Sequence, residues 1–313
     1  MFKKIMPFVA VAAICAASCG KPYSNTINPV PVPTVKYDLV SVFASNAVTA
    51  KTVTIDATAG GTFVGNGGAR YIFPPNGFRT ASGALVTGNV TIRAAEFLSK
   101  ADMIFSGVLP ISYGQPLISG GETYIRATQG SNEVYMASGK QYTVKLPQKK
   151  TPPAGMQLFL AGGSYRTTDL TNTVNWAPDS TGSHGFVIID GDSLSMSSDS
   201  LHFANADKFM SFPNYQNFTI TINAGTVPIS DTMLVYTSYD DYNGVWPNID
   251  RIAPGVYSED HVPNIPVHFV VIAIINGGLY SGTLGATPAS GSNYTISLSV
   301  TTPDNFKALL KGL

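Results

Sequence analysis

The chain has 313 residues, 44% hydrophobic and only 12% charged, with 30 Gly, 21 Pro, 15 Tyr and 16 Phe. That length allows two ordinary domains, and so many turn formers and aromatics favour short strands over long helices. Basic and acidic residues number 19 each, and loss of Lys3 and Lys4 with a leader tips the balance slightly acidic, which excludes the basic footprint that nucleic acid requires. The expected class is all-β: two β-sandwich domains with a short C-terminal helix.

Met1 to Lys4 is basic, Ile5 to Ile14 apolar, and Ala16-Ala17-Ser18 offers a small-residue cleavage site, the three parts of a secretory signal. The apolar run is shorter than the roughly 20 residues of a membrane-spanning helix, and Gly20-Lys21-Pro22 closes it. Both cysteines lie here. Cys15 leaves with the leader, residues 1–18, so Cys19 is the only cysteine of the mature chain. A small-residue triplet directly before a cysteine resembles the lipobox of bacterial lipoproteins, although Ala16 stands where that family most often carries Leu. The resemblance implies lipid on Cys19 and a membrane partner held by acyl chains, each buried CH₂ contributing about 0.8 kcal/mol. Gly20, where inner-membrane lipoproteins typically carry Asp, points to the outer membrane, in either leaflet. Residues 19–35, with Pro22, Pro29, Pro31 and Pro33, form a tether, and about 15 polyproline-like residues at ~3.1 Å each reach roughly 45 Å.

From Tyr37 the runs YDLVSVFA, TVTI, NVTIRAAEF, ETYIRA and QYTVKL are β-branched and aromatic, several of them alternating, with Gly pairs between them. No amphipathic helix of ordinary length is expected among them. Arg70-Tyr71-Ile72-Phe73 follows a Gly-rich turn and meets Pro74-Pro75, which lack backbone donors and must end the strand or keep it at an edge. Gly60-Gly61, the strand before Pro74-Pro75, and Gly88-Asn89-Val90-Thr91-Ile92 resemble the ZU-five type of β-sandwich, over Lys51 to Pro147. Gly77 departs from that family's more usual Ala. The resemblance implies an interaction or mechanical scaffold module at 36–148 and brings no catalytic constellation with it. Bacteroidota surface lipoproteins often carry such modules, and LHFANADKFMSFPN is similar to an Asn-x-Asp-[Arg/Lys]-Phe segment found in them.

Gln148 to Gly155 is a polar, proline-bearing joint, so a boundary is expected near residue 150 and a second sandwich over 154–313. Its strands include HGFVIID, FTITI, TMLVYTSY and NYTISLSV, and the apolar run Val267 to Ile275 reads as a central strand buried on both faces. At the end, Thr302 can cap a helix, Pro303 suits its first position, and Phe306, Leu309, Leu310 and Leu313 share one face. Asp179, Asp192, Asp199 and Asp231 begin tripeptides that fit the Asp-[Ser/Thr]-aliphatic O-glycosylation pattern of exported Bacteroidota proteins.

His184, His202, His261 and His268 lack metal-ligand spacing, so no metal and no cofactor is expected. No G-x-S-x-G elbow or phosphate loop occurs, so no catalytic residue is named. DGDSLSMSSDS offers alternating oxygens but lacks the Gly turn and terminal Glu of an EF-hand loop, and reads as a solvated loop. The candidate ligand-binding residues are Tyr239, Asp240, Asp241, Tyr242, Asn243 and Trp246, in a loop leaving the sheet before Pro247. Exposed rings supply apolar area at low entropic cost while carboxylates and amides bond sugar hydroxyls or peptide backbone. The bland alternative is a hairpin loop whose rings pack back onto the sandwich. The expected role is non-catalytic binding of a protein or glycan at the cell envelope. The rival is an envelope glycan hydrolase, which needs carboxyl groups ~5 to 9.5 Å apart.

Overall fold

The computed structural model describes residues 35–163, 174–212, 214–225, 232–248 and 250–313. The leader, Cys15, Cys19, nearly all of the tether and Asp231 lie outside them. Most of the alternating runs form strands where the sequence spaces them. Asn89–Phe97 pairs with Lys51–Asp56 on one side and with Gln115–Gln129 on the other. Gln115–Gln129 then pairs with His202–Phe209, which pairs with Gln157–Ala161, and Ala177–Pro178 closes that edge. A second sheet runs in the order Gly185–Asp190, Ser193–Ser198, Tyr142–Leu146, Arg70–Phe73, Gly61–Val64. Arg70–Phe73 stops at Pro74 as expected. DGDSLSMSSDS corrects to a tight hairpin, Asp190 opposite Ser193, with Gly191 at φ +58° in the left-handed region that favours glycine.

The second sandwich packs the sheet Arg251–Ala253, Val256–Pro263, Tyr215–Asn223, Asn293–Ser297 against the sheet Val245–Pro247, Met233–Tyr239, Val267–Ile275, Gly278–Ala286, Ser299–Val300. Val267–Ile275 is central, and Phe269, Val270, Val271 and Ile272 are all fully buried, which accounts for its unbroken apolar run.

Three helices are described, and only the last was expected. YDLVSVFA is not a strand: Leu39–Asn46 forms helix α1. The Asp38 carboxylate accepts from the Ser41 N–H at 2.8 Å, and Leu39, Val42 and Phe43 fall on one buried face at helical spacing. Lys100–Ser106 forms helix α2, opened by a capping box in which Ser99 and Asp102 bond each other's backbone N–H. Pro303–Gly312 forms helix α3, capped by Thr302, whose Oγ1 accepts from the Asn305 N–H at 3.2 Å. Helix α3 packs on the other two helices: Phe306 meets Phe105 edge to face at 5.7 Å, and Lys307 donates to the Asn46 carbonyl at 3.3 Å.

The boundary expected at 148–154 is corrected by strand pairing. Gln157–Ala161, Gly185–Asp190, Ser193–Ser198 and His202–Phe209 all follow the proline-bearing joint, yet they complete the two sheets begun before it. The joint is therefore a crossover within the first sandwich, and the chain passes to the second sandwich near residue 210. The larger first sheet is buried on both faces. Val90, Ile92, Ala94, Ile125 and Ala127 fill the core inside the first sandwich. Phe97, Tyr124 and Phe203 on the opposite face join the helices and the second sandwich in one continuous core. Consistently, residues 33–313 form a single unit rather than two domains.

Candidate functional site

A cleft of about 470 Å³ opens where four separated parts of the chain meet. They are the turn before helix α2 (Leu98 to Lys100), the start of strand Gln115–Gln129 (Ile118 to Gly120), the crossover Pro147 to Pro153, and the loop Asp240 to Asn243. The end of helix α3, through Leu310, Lys311 and Leu313, forms a further wall. The crossover bends at Lys149 and Lys150 and carries Pro147, Pro152 and Pro153 into the lining.

The 240–243 loop is fixed by main-chain bonds. Asp240 N–H donates to the Pro266 carbonyl at 3.1 Å, and the Asn243 carbonyl accepts from Ser119 N–H at 2.9 Å. Asn243 Nδ2 reaches the Leu98 carbonyl at 3.4 Å. Gly244 seats the loop against the first sandwich, because a Cβ there would lie 2.9 Å from the Leu117 carbonyl oxygen. Asp240 Oδ1 and His268 Nδ1 are 2.7 Å apart and both side chains are about one-third exposed. Asp241 is exposed at the rim, 4.0 Å from the Lys150 ammonium, a separation and exposure at which an ion pair contributes little.

Lys100 is the residue that the sequence did not flag. Only 6% exposed, its Nζ donates to the Leu313 main-chain oxygen at 2.9 Å and to the Tyr239 carbonyl. Burial pulls its ammonium down to about 8, against the opposing pull of Asp240. One amine thus ties together helix α2, the end of helix α3 and the strand leading into the loop. With Lys149, Lys150 and Lys311 on the rim, lysines outnumber the two aspartates lining the cleft.

The six expected binding residues separate into two groups. Asp240, Asp241, Tyr242 and Asn243 line the cleft, with Tyr242 half-buried and its ring 6.0 Å from that of Phe212. Tyr239 and Trp246 do not present exposed rings: they are 0% and 7% exposed and belong to the core. Trp246 Nε1 donates to Glu259 Oε2 at 3.1 Å, and its indole stacks on His261 at 5.1 Å. Burial pushes the Glu259 carboxyl up to about 7, although the His261 N–H donates to it at 2.7 Å. The physical reason is strand order: both rings flank a sheet with apolar area available to cover, and burying it is worth more than exposure.

All four histidines sit beside carboxylates: His184 with Asp199, His202 with Glu133, His261 with Asp260, His268 with Asp240. Among the described residues, one group of three His, Cys, Asp or Glu side chains has its ligand atoms close together, Glu259, Asp260 and His261. Both Glu259 oxygens there already accept protein hydrogen bonds. Behind the cleft wall formed by Ser119 and Gly120 lies a second polar cluster, Glu122, Asn205 and Asp207, each 0% exposed.

No protein-family model and no curated protein matches the chain.

Proposed function

We propose that the chain is a non-catalytic, lipid-anchored cell-envelope protein that binds an extended peptide or glycan segment of an envelope partner in this cleft. The observation that carries the reading is the cleft's construction: three prolines and the apolar side chains of Leu98, Ile118, Met156 and Leu310 form its walls, with Tyr242, Asn243, Gln148 and the lysines at their edge. Apolar walls with a few convergent polar groups are what a ligand segment needs for burial and orientation. The cleft's carboxylates, Asp240 and Asp241, are neighbours on one loop, whereas glycoside hydrolysis needs two carboxyls flanking the scissile bond. The lipobox resemblance supplies the anchor on Cys19 at the outer membrane, and the stretch resembling a ZU-five module supplies a rigid scaffold.

The test is a pull-down from envelope extract with the full chain and its Tyr242→Ala/Asn243→Ala variant. The Asn243 carbonyl that holds the loop survives this change, so loss of the captured partner from a folded variant supports the cleft, and undiminished capture refutes it.

A further inference from the structure

Glu122 and Asp207 face each other across a strand pair deep inside the protein. Glu122 stands opposite Asn205 and also opposite Phe97, and Asp207 opposite Ser119; Asn205 and Asp207, two apart, share a face, and a bulge with its extra residue between Ser119 and Glu122 keeps their partners on that face too. Asn205 Nδ2 donates to Asp207 Oδ2, and Ser119 Oγ donates to Asn205 Oδ1 at 3.2 Å. Glu122 Oε1, Glu122 Oε2 and Asp207 Oδ1 are sealed from solvent without a hydrogen bond; the Ser119 side chain and the Gly120 N–H ease the Asp207 carboxylate, and no donor does so for Glu122. Nor does a described Lys, Arg or His pair with either carboxylate. A buried carboxylate without a partner is costly, so two on one face of a sheet demand a positive partner or protons. Burial, reinforced by mutual repulsion, holds Glu122 well above the ordinary carboxylate range, and burial does the same for Asp207.

We propose that Glu122, Asp207, Asn205 and Ser119 form a buried Ca²⁺ site. Every donor is an oxygen, which suits a hard cation and not zinc. Mg²⁺ gives up its water shell reluctantly, whereas Ca²⁺ accepts bidentate carboxylates and irregular geometry, and this cluster is enclosed by the apolar core containing Phe97, Phe159 and Phe203. The cluster borders the cleft through Ser119, which lines it. Bound Ca²⁺ would also brace the cleft: the same Ser119 holds the 240–243 loop through its N–H and steadies Gly121 N–H through its Oγ at 3.1 Å. The Asn-x-Asp-Lys-Phe stretch singled out in the sequence, Asn205 to Phe209, then has a chemical role. The site stands independently of what the cleft binds.

The experiment treats the purified full chain with chelator, then measures Ca²⁺ bound at equilibrium and the melting temperature with and without millimolar Ca²⁺. The expected result is one Ca²⁺ per chain and a Tm that rises by several degrees. Glu122→Gln/Asp207→Asn should remain folded in chelator, since it removes the buried charge, and should lose both the bound ion and the rise. Asp240→Asn/Asp241→Asn, in the cleft, should retain them. The proposal is overturned by a wild-type chain that binds no Ca²⁺ and melts at the same temperature in both conditions. It is equally overturned by a Glu122→Gln/Asp207→Asn variant that keeps the Ca²⁺ response.

Discussion

Trp246 Nε1 donates to Glu259 Oε2 at 3.1 Å, joining the two sheets of the second sandwich through a carboxyl that is 4% exposed. Its pKa is raised from an ordinary 4.5 to about 7, so between those values the folded state holds more proton than the unfolded chain and stability falls as pH rises. The contribution is fully present below the unfolded pKa and lost by about 7. Subtracting the stability of Glu259→Gln from that of the wild type should leave a decline of roughly 3 kcal/mol between about pH 4.5 and pH 7. Urea unfolding of both proteins across that range measures it. A difference that is flat with pH would remove Glu259 from the account.

Helix α3 is held by its two buried side chains, Phe306 and Leu310. Phe306 is fully buried and meets Phe105 edge to face. Phe306→Ala should cost about 3–5 kcal/mol, the usual loss for a buried aromatic, read as a lower denaturant midpoint. Because Leu310, Lys311 and Leu313 at the helix end wall the cleft, amide exchange in residues 303–313 should accelerate together with that of the 240–243 loop. Protection unchanged in the loop would show that Lys100 does not link the two.

The proposed lipid anchor is tested by metabolic labelling. Palmitate should be incorporated into the wild type and Cys15→Ser and be absent from Cys19→Ser. A labelled Cys19→Ser protein would refute attachment at Cys19.

Strands such as Asn89–Phe97 and Val267–Ile275 were legible because their period and composition are local facts, and Pro74-Pro75 and Thr302-Pro303 punctuate the chain by chemistry that needs no partner. YDLVSVFA misled because Leu39, Val42 and Phe43 satisfy a helical face while the β-branched Val40 and Val42 favour a strand; the Asp38 cap decided it. Ser99 and Asp102 were the corresponding signal for helix α2. Pairing is a different kind of information. Nothing near Gln148 to Gly155 says that His202–Phe209 will return to Gln115–Gln129, so a proline-rich crossover reads like a domain joint. The same limit applies to the cleft: Asp240 to Asn243 announced a polar loop, but Lys100 and the crossover reach it only through the fold, and the inward turn of Tyr239 and Trp246 depends on a core that assembles from distant strands.

The return of His202–Phe209 also constrains how the protein can come into being. A nascent chain that has emerged only as far as Pro147 has two sheets with open inner edges: Gln115–Gln129 awaits His202–Phe209, and Tyr142–Leu146 awaits Ser193–Ser198. Unpaired apolar edges of that kind recruit other chains, and contacts this far apart in sequence close slowly. The edges of the first sandwich are therefore paired only after two-thirds of the chain is available, and the outer face of its larger sheet is covered only once the second sandwich and helix α3 follow.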